Sequence, residues 1–243
     1  MHGQTGEPVP NYRRPQPSLV RRTVSVLLRT AVALVALSIA WVTIYYFVPV
    51  PMTWPMARDA ISGRHVEQRW VELDAMAPAV ARAAIGAEDA QFCTHHGFDF
   101  TAMEQAAERN AKGRKLRGGS TISQQTAKNA FLWPGRSYVR KALEAWFTVL
   151  IEVVWGKPRI MEVYLNIAEM GPGIYGVDAA ARHYFNTSAA KLTRQQAARI
   201  VAILPQPIKR SAVAPKGYTR KYARRIEKRI GVVRRGDIDA CLR

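Results

Sequence analysis

The sequence predicts a mainly α domain preceded by a single N-terminal membrane-spanning helix. Three observations carry that prediction: an uncharged run of 21 residues from Thr30 to Val50, helix start and stop signals through most of the chain after residue 70, and few alternating strand patterns. The 243 residues are 48% hydrophobic with 16 Gly, 14 Pro and 2 Cys, which excludes collagen-like, disordered and disulfide-dense chains and leaves room for one sizeable domain.

The apolar run, TAVALVALSIAWVTIYYFVPV, is long enough at 1.5 Å per residue to cross about 30 Å of hydrocarbon. Arg13, Arg14, Arg21, Arg22 and Arg29 precede it, and Trp41, Tyr45, Tyr46 and Phe47 gather at its far end as an interfacial belt would. The positive-inside rule then makes residues 1–29 a cytoplasmic basic tail, 30–50 a signal-anchor and 51–243 an outer domain. A cleaved signal peptide would show an apolar stretch of about 7 to 15 residues and a small-residue cleavage site, whereas Pro49-Val-Pro51 and Trp54-Pro55 follow here. The first 20 residues, rich in Pro, Gly and Gln, read as a disordered tail.

Past the anchor, the best strand pattern covers His65 to Leu73. Pro78 opens an Ala-rich helix that runs to about Gln91. Thr101 with Glu104, and Thr193 with Gln196, have capping-box spacing, and Ser120 and Ser137 are candidate caps. The helix after Ser137 has Val139, Leu143, Trp146, Leu150 and Val153 at 4-3-4-3 spacing, which predicts an inward stripe. Its Ala145–Trp155 portion is too short to cross a bilayer and reads as buried. Pro158 sits in the first turn of the next helix, with Ile160, Val163, Tyr164 and Ile167 on one face. Cys93 and Cys241, far apart in sequence, indicate neither a disulfide framework nor a metal site.

The formal charge is +18, and its distribution narrows the partner. Residues 1–29 carry +4, residues 30–208 carry +5, and the basic segment 209–243 carries +9. Within that segment Tyr218, Tyr222, Ile226 and Ile230 recur every fourth residue, the pattern of an amphipathic helix lying on a membrane or against the domain. Placed outside the cytoplasm, it argues for anionic lipid and against nucleic acid.

Three motif matches fail their context. Gly171-Pro-Gly173-Ile-Tyr-Gly176 fits a dinucleotide fingerprint but follows a helix rather than a strand. Ser188-Ala-Ala-Lys191 fits an acyl-enzyme motif but lacks its partner motifs downstream. His95-His96 has no further ligand cluster around it.

Four segments concentrate polar groups inside apolar helical sequence: Glu88-Asp89-Ala-Gln-Phe92-Cys-Thr-His95-His-Gly97, Arg117-Gly-Gly119-Ser120-Thr121-Ile-Ser-Gln124-Gln125-Thr-Ala-Lys128-Asn129, Arg140-Lys141-Ala-Leu-Glu144, and Lys157-Pro-Arg-Ile-Met-Glu162-Val-Tyr164-Leu-Asn166. A carboxylate leaning into an apolar cleft has its proton affinity raised and serves as a general acid or base. Glycines before a helix N-terminus expose N–H groups suited to an anion, and Gln124, Gln125 and Lys128 add donors. Taken singly, each segment also reads as a solvated helix end, a turn or a surface ion pair.

In this order and with these gaps, the segments resemble the consecutive motifs of glycosyltransferase family 51, the peptidoglycan glycosyltransferases. Ala180-Ala-Arg182-His-Tyr184-Phe185 resembles a fifth motif. Two departures are Asn186 where Gly is common and Ser123 where Thr is usual. The resemblance implies a lysozyme-like α domain at the outer face of the bacterial inner membrane, in the periplasm, that polymerises lipid II into glycan strands. With the chain stopping at Arg243, no transpeptidase domain is expected and the monofunctional type is implied. The resemblance also implies Glu88 as general base and Glu144 as the second essential carboxylate. It makes Asp89, Phe92, His95, Gly119, Ser120, Thr121, Gln124, Gln125, Lys128, Asn129, Arg140, Lys141, Lys157 and Asn166 substrate-site residues. A divalent cation such as Mg2+ is expected at the diphosphate. Expected partners are lipid II, the nascent glycan strand, the membrane and other cell-wall synthesis and division proteins. Phe131, Leu132 and Trp133 are candidates for dipping into the bilayer. The rival readings are a glycan-cleaving enzyme of lysozyme type, which needs no diphosphate cradle, and an inert membrane-anchored scaffold, against which the intact carboxylates argue.

Overall fold

The computed structural model describes residues 19–111, 119–135 and 137–243; Arg117, Gly118 and most of the basic tail lie outside them. Two compact units are present, one ending at Ala40 and one spanning Trp41–Arg243. The first is the larger part of α1 (Leu19–Phe47), the one helix among the described residues long and apolar enough to cross a membrane. This helix begins before Thr30 and ends before Val50, so the uncharged run underestimates it on one side and overruns it on the other.

The second unit is helical apart from three short strands. Its elements are α2 (Trp54–Ile61), β1 (Glu67–Gln68), α3 (Pro78–Glu88), α4 (Phe100–Ala111), α5 (Ile122–Phe131), α6 (Tyr138–Val154), α7 (Gly156–Ile167), β2 (Glu169–Gly171), β3 (Ile174–Tyr175), α8 (Val177–Phe185), α9 (Arg194–Ile203) and α10 (Gly217–Arg235). The strands form one sheet in the order β1-β3-β2, with β1 parallel and β2 antiparallel to β3. The GxGxxG match falls on this hairpin, and the SxxK match on a single 3-10 turn at Ala189–Lys191. Only two residues of the His65–Leu73 stretch become strand.

Two helix groups make the core. Helix α3 packs against α9 and α10, and α5 against α6 and α7. Small residues permit the first contact: Ala81, Ala83, Ala84 and Gly86 of α3 are buried, and a β-carbon on Gly86 would come within 2.9 Å of the Arg229 β-carbon. In the second group Ile160, Val163, Tyr164 and Ile167 of α7 are buried as their spacing predicts, but Met161, Leu165 and Asn166 are buried too, so this half of the helix is enclosed nearly all round.

Capping explains where several helices begin, with two corrections to the sequence reading. Ser137 accepts from the Arg140 N–H, and Thr193 forms the expected box with Gln196. The α5 cap, however, is Thr121 and not Ser120: Gln124 N–H donates to Thr121 Oγ1 and Thr121 N–H to Gln124 Oε1. Thr101 lies inside α4, whose start is fixed by Asp99 accepting from the Ala102 N–H. At the end of α8, Asn186 takes the left-handed conformation with φ 49°, which explains why Asn stands where relatives of the resembled family have Gly.

Helix α6 reverses the expected polarity. It buries Glu144, Phe147, Thr148 and Ile151, while of the predicted stripe Val139, Trp146 and Val153 are exposed at 69%, 38% and 79% and Leu143 and Leu150 pack partly against the core. The predicted inward stripe thus faces largely outward, because the opposite face is filled by the carboxylates of Glu144 and Glu152 and their partners. Ser123 supplies one, its hydroxyl donating to Glu152 at 2.5 Å, so the Thr-to-Ser departure keeps the one atom the site uses. The end of α1 also departs from an interfacial belt. Tyr45 stacks against Phe131 and Trp41 meets it edge-on, Val42 is fully buried, and the Trp155 indole N–H donates to the Val42 carbonyl at 2.8 Å. Arg159 then donates to the carbonyls of Tyr45 and Val48.

A disulfide joins Cys93 to Cys241 across 148 residues, with their α-carbons 5.4 Å apart. This corrects the reading that wide spacing argues against a bridge: spacing in sequence says nothing once α10 folds back on α3. The same packing settles where the amphipathic C-terminal helix puts its apolar face. Ala223, Ile226, Ile230 and Val233 are buried against α3 and α9, so of the two placements the spacing left open, membrane or domain, the apolar face takes the domain.

Candidate active site

Helix α3 stops at Glu88 because Asp89 leaves helical geometry at φ −157° and turns its carboxylate into the protein. Asp89 accepts from the Ile122 N–H at 2.9 Å, capping the positive end of α5, and from His95 Nε2 at 2.9 Å. The Gly97 N–H donates to His95 Nδ1, which leaves the ring proton on Nε2 facing Asp89. Phe92 is fully buried beneath the turn with the Lys157 ammonium 4.7 Å from its ring centre. Gly97 closes the turn at φ +90°, where a β-carbon would strike Thr148 Cγ2. Asp89, Phe92 and His95 therefore hold the turn that presents Glu88.

Glu88 opens into a cleft of about 1150 Å³ lined by Ser120, Gln125, Lys128, Gln206, Lys209, Arg210, Tyr218, Tyr222, Arg225 and Arg229 among others. Burial pushes its carboxyl above the ordinary value of 4.5; the hydrogen bond from Gln125 Nε2, at 3.4 Å, and the charges of Arg210 and Lys128 pull back the other way. Gln125 is oriented in turn by Tyr164, whose hydroxyl donates to its Oε1 at 3.5 Å. Tyr164 is buried and its hydroxyl is pushed well above its usual range by that burial, so it remains protonated. A smaller hollow of about 270 Å³ between α9 and α10 holds none of the predicted site residues.

Glu144 is buried one helix away from the cleft. It accepts from Arg140 Nη1 at 3.0 Å and from the Lys141 ammonium. Burial lowers the proton affinity of Lys128, and Glu144 is the largest influence restoring it. The two predicted carboxylates are thus linked through one lysine, Glu88 sharing the cleft with it and Glu144 sustaining its charge.

The remaining predicted residues divide by role. Thr121 and Gln124 cap α5, and Thr121 Oγ1 donates to the Gly97 carbonyl at 2.6 Å. Gly119 packs against Met103 and Ala106 of α4. Asn129 is half-buried on α5 and does not line the cleft. Asn166 is fully buried, joined to both backbone groups of Val71. Lys157 pairs with Glu152 at 2.7 Å, away from the cleft. Local pattern does not single out Arg210, Tyr222, Arg225 or Arg229, because what brings them to Glu88 is the return of α10 onto α3. The signal available was the +9 charge of that segment.

Among the described residues no group of three or more His, Cys, Asp or Glu side chains could hold a metal ion. Glu144 is already matched by two cations and faces a third in Lys128, so this donor set does not fit a resident divalent cation, and no step below uses one.

A buried carboxylate in a cation-lined cleft, reached by the motif order of the resembled family, is matched by a family model. The model described as Transglycosylase covers residues 57–231. The chain belongs to the transglycosylase family. It is 55% identical to a biosynthetic peptidoglycan transglycosylase of Caulobacter vibrioides over 92% of this chain and 98% of that protein. Proteins of the same name from Rhodospirillum centenum, 48% identical over 93% and 96%, and Shewanella oneidensis, 44% identical over 87% and 92%, are similar over nearly their whole lengths. The α-rich unit is accordingly a lysozyme-like transglycosylase domain following one apolar N-terminal helix, and the chain is a glycosyltransferase.

The transglycosylase cleft makes a pH prediction. A base must be ionised to act, so with Glu88 in the role of base that the resemblance implies, the acid limb of the rate profile is expected above 4.5. Arg210→Gln removes a charge that favours the carboxylate. The limb in kcat/KM should move to higher pH, and an unmoved limb would detach Arg210 from Glu88.

Proposed function

We propose that this transglycosylase polymerises lipid II into the glycan strands of peptidoglycan. The observation that carries the reading is a buried carboxylate, Glu88, in a cleft whose other charged walls are cationic: Lys128, Lys209, Arg210, Arg225 and Arg229. The acceptor sugar 4-hydroxyl gives its proton to Glu88 as its oxygen bonds to C1 of the donor. The bond from C1 to the lipid diphosphate breaks with inversion, and the diphosphate leaves with both electrons. Charge growing on that leaving group is met by Lys128, with Arg140 and Lys141 beside it. Gln125, fixed by Tyr164, holds Glu88 without protonating it. Gel separation of products tests this directly: the full chain should convert lipid II to long glycan and leave finished peptidoglycan uncut. Cleavage without synthesis would favour the lysozyme-type rival.

The reading includes a place at the cytoplasmic membrane, with the arginines before α1 inside and the cleft outside in the periplasm. Support comes from the uncharged stretch of α1 and from exposed apolar residues of the outer unit, namely Trp133, Val139, Val149 and Val153. Phe131 and Leu132, expected to dip into lipid, are only 5% and 3% exposed and belong to the core, which leaves Trp133 for that task. A fragment of residues 41–243 should bind anionic liposomes, and Trp133→Ser with Val153→Ser should weaken this about tenfold, each buried side chain being worth about 1.5 to 3 kcal/mol before losses to partial exposure. Unchanged binding would remove this face from the membrane. Binding of other cell-wall proteins follows from the same location.

A further inference from the structure

Four contacts that share no atom tie the C-terminal segment to the helix and turn carrying Glu88. Cys93 is bonded to Cys241, Arg82 Nε donates to Asp239 Oδ2 at 2.7 Å, Arg229 Nη1 donates to the Gly86 carbonyl at 2.7 Å, and the Tyr222 hydroxyl donates to the Ala87 carbonyl at 3.4 Å. Two of these residues, Tyr222 and Arg229, also line the cleft opposite Glu88. The first two contacts lie at the extreme C-terminus, where a chain ordinarily frays.

The disulfide does something there that hydrogen bonding does not. The last residues are ordered as a single 3-10 turn, Ala240–Leu242, and Asp239 is buried with its second carboxylate oxygen lacking any partner. Burying an unpaired carboxylate oxygen is unfavourable, so the single ion pair with Arg82 offsets only part of the cost and the covalent bridge adds to what holds the segment in. Cys93 sits between Phe92, which is fully buried, and His95, which is bonded to Asp89, so its end of the bridge is immobile. Its other end fixes the chain that leaves α10.

We propose that the Cys93–Cys241 bridge is a positioning bond for transfer, clamping the α10 wall of the cleft against the Glu88 turn so that the lipid diphosphate is gripped between them. The inference rests on the transferase reading above but concerns binding first. Dithiothreitol opens the clamp by giving two electrons and two protons to the bridge. Two cysteine thiols form, and the reagent closes to its own cyclic disulfide.

The test uses the full chain in detergent, oxidised and reduced, with the Kd for undecaprenyl diphosphate and the kcat and KM for lipid II as readouts. Reduction should raise both Kd and KM about tenfold as the α10 wall loosens from the turn, with kcat changed much less because Glu88 stays on α3. Cys93→Ser/Cys241→Ser should match the reduced chain and ignore dithiothreitol. Asp239→Asn, with the bridge intact, should give a smaller rise in Kd of the same sign. Equal Kd in oxidised and reduced protein overturns the proposal. So does a loss that only tracks the unfolded fraction while Asp239→Asn binds normally. An oxidised chain that binds the probe but makes no glycan would defeat the transferase reading, and the Kd ratio would still judge the clamp.

Discussion

Glu88→Gln is expected to lower glycan polymerisation by about 10² to 10⁴-fold, the usual contribution of a general base, and at the same time to raise thermal stability at neutral pH. The stability gain follows from the sign of the proton shift. Burial raises the Glu88 carboxyl above its unfolded value, so the folded state binds this proton more tightly than the unfolded one. The stabilising contribution is complete below the unfolded pKa and is lost as pH rises through the folded value. At pH 7 the unfolded chain has this carboxyl ionised while burial disfavours the charge in the fold, and the neutral amide removes that cost. Melting temperatures of both proteins at pH 4 and pH 7 check this: the variant's advantage should appear only at the higher pH. Retention of near-normal turnover would show that another group takes the proton.

Glu144→Gln should fail differently, losing both stability and activity. Glu144 is 4% exposed and Arg140 11%, so removing the carboxylate charge strands a buried guanidinium whose Nε already has no partner. Breaking such a buried pair costs about 3 kcal/mol, while Lys141, half-exposed, adds little. Activity falls because Glu144 sustains the charge on Lys128 against burial. Without it Lys128 gives up its proton more easily, and the alkaline limb of the rate profile should move to lower pH. Glu144→Asp, which keeps the charge, should recover part of both effects. A variant with normal stability and an unmoved alkaline limb would contradict the link from Glu144 to Lys128.

The sequence singles out these two carboxylates as candidates, and the structure buries both, but their surroundings were legible only in part. Caps and short-range faces could be read because they depend on residues three or four apart: Ser137, Thr193 with Gln196, and the buried face of α7 follow local rules. The outward face of α6 could not, since an apolar stripe looks the same whether it meets protein or lipid. Only the placement of Glu144 and Glu152 against Arg140, Lys141, Ser123 and Lys157 decides which side is in. The same limit applies to the other cleft wall. Arg210, Tyr222 and Arg229 reach Glu88 through a fold-back of more than a hundred residues in sequence, as does the bridge to Cys241. Gln124, Lys157 and Asn166 are placed on intramolecular partners away from the cleft, which a local motif does not foretell, since it does not separate a ligand contact from the scaffold beneath it.

The last turns of α1 have a consequence for how the chain can be processed. Residues 41–47 finish the apolar helix and simultaneously supply Val42 and Tyr45 to the packing around Phe131 and Trp155. Cleavage between Tyr45 and Val50 would take those side chains from Phe131 and Trp155 and leave that packing unfilled, a loss of about 1.5 to 3 kcal/mol for each buried apolar side chain removed. Keeping the end of this helix is therefore a stability requirement of the α-rich unit, separate from any role the helix has in a membrane.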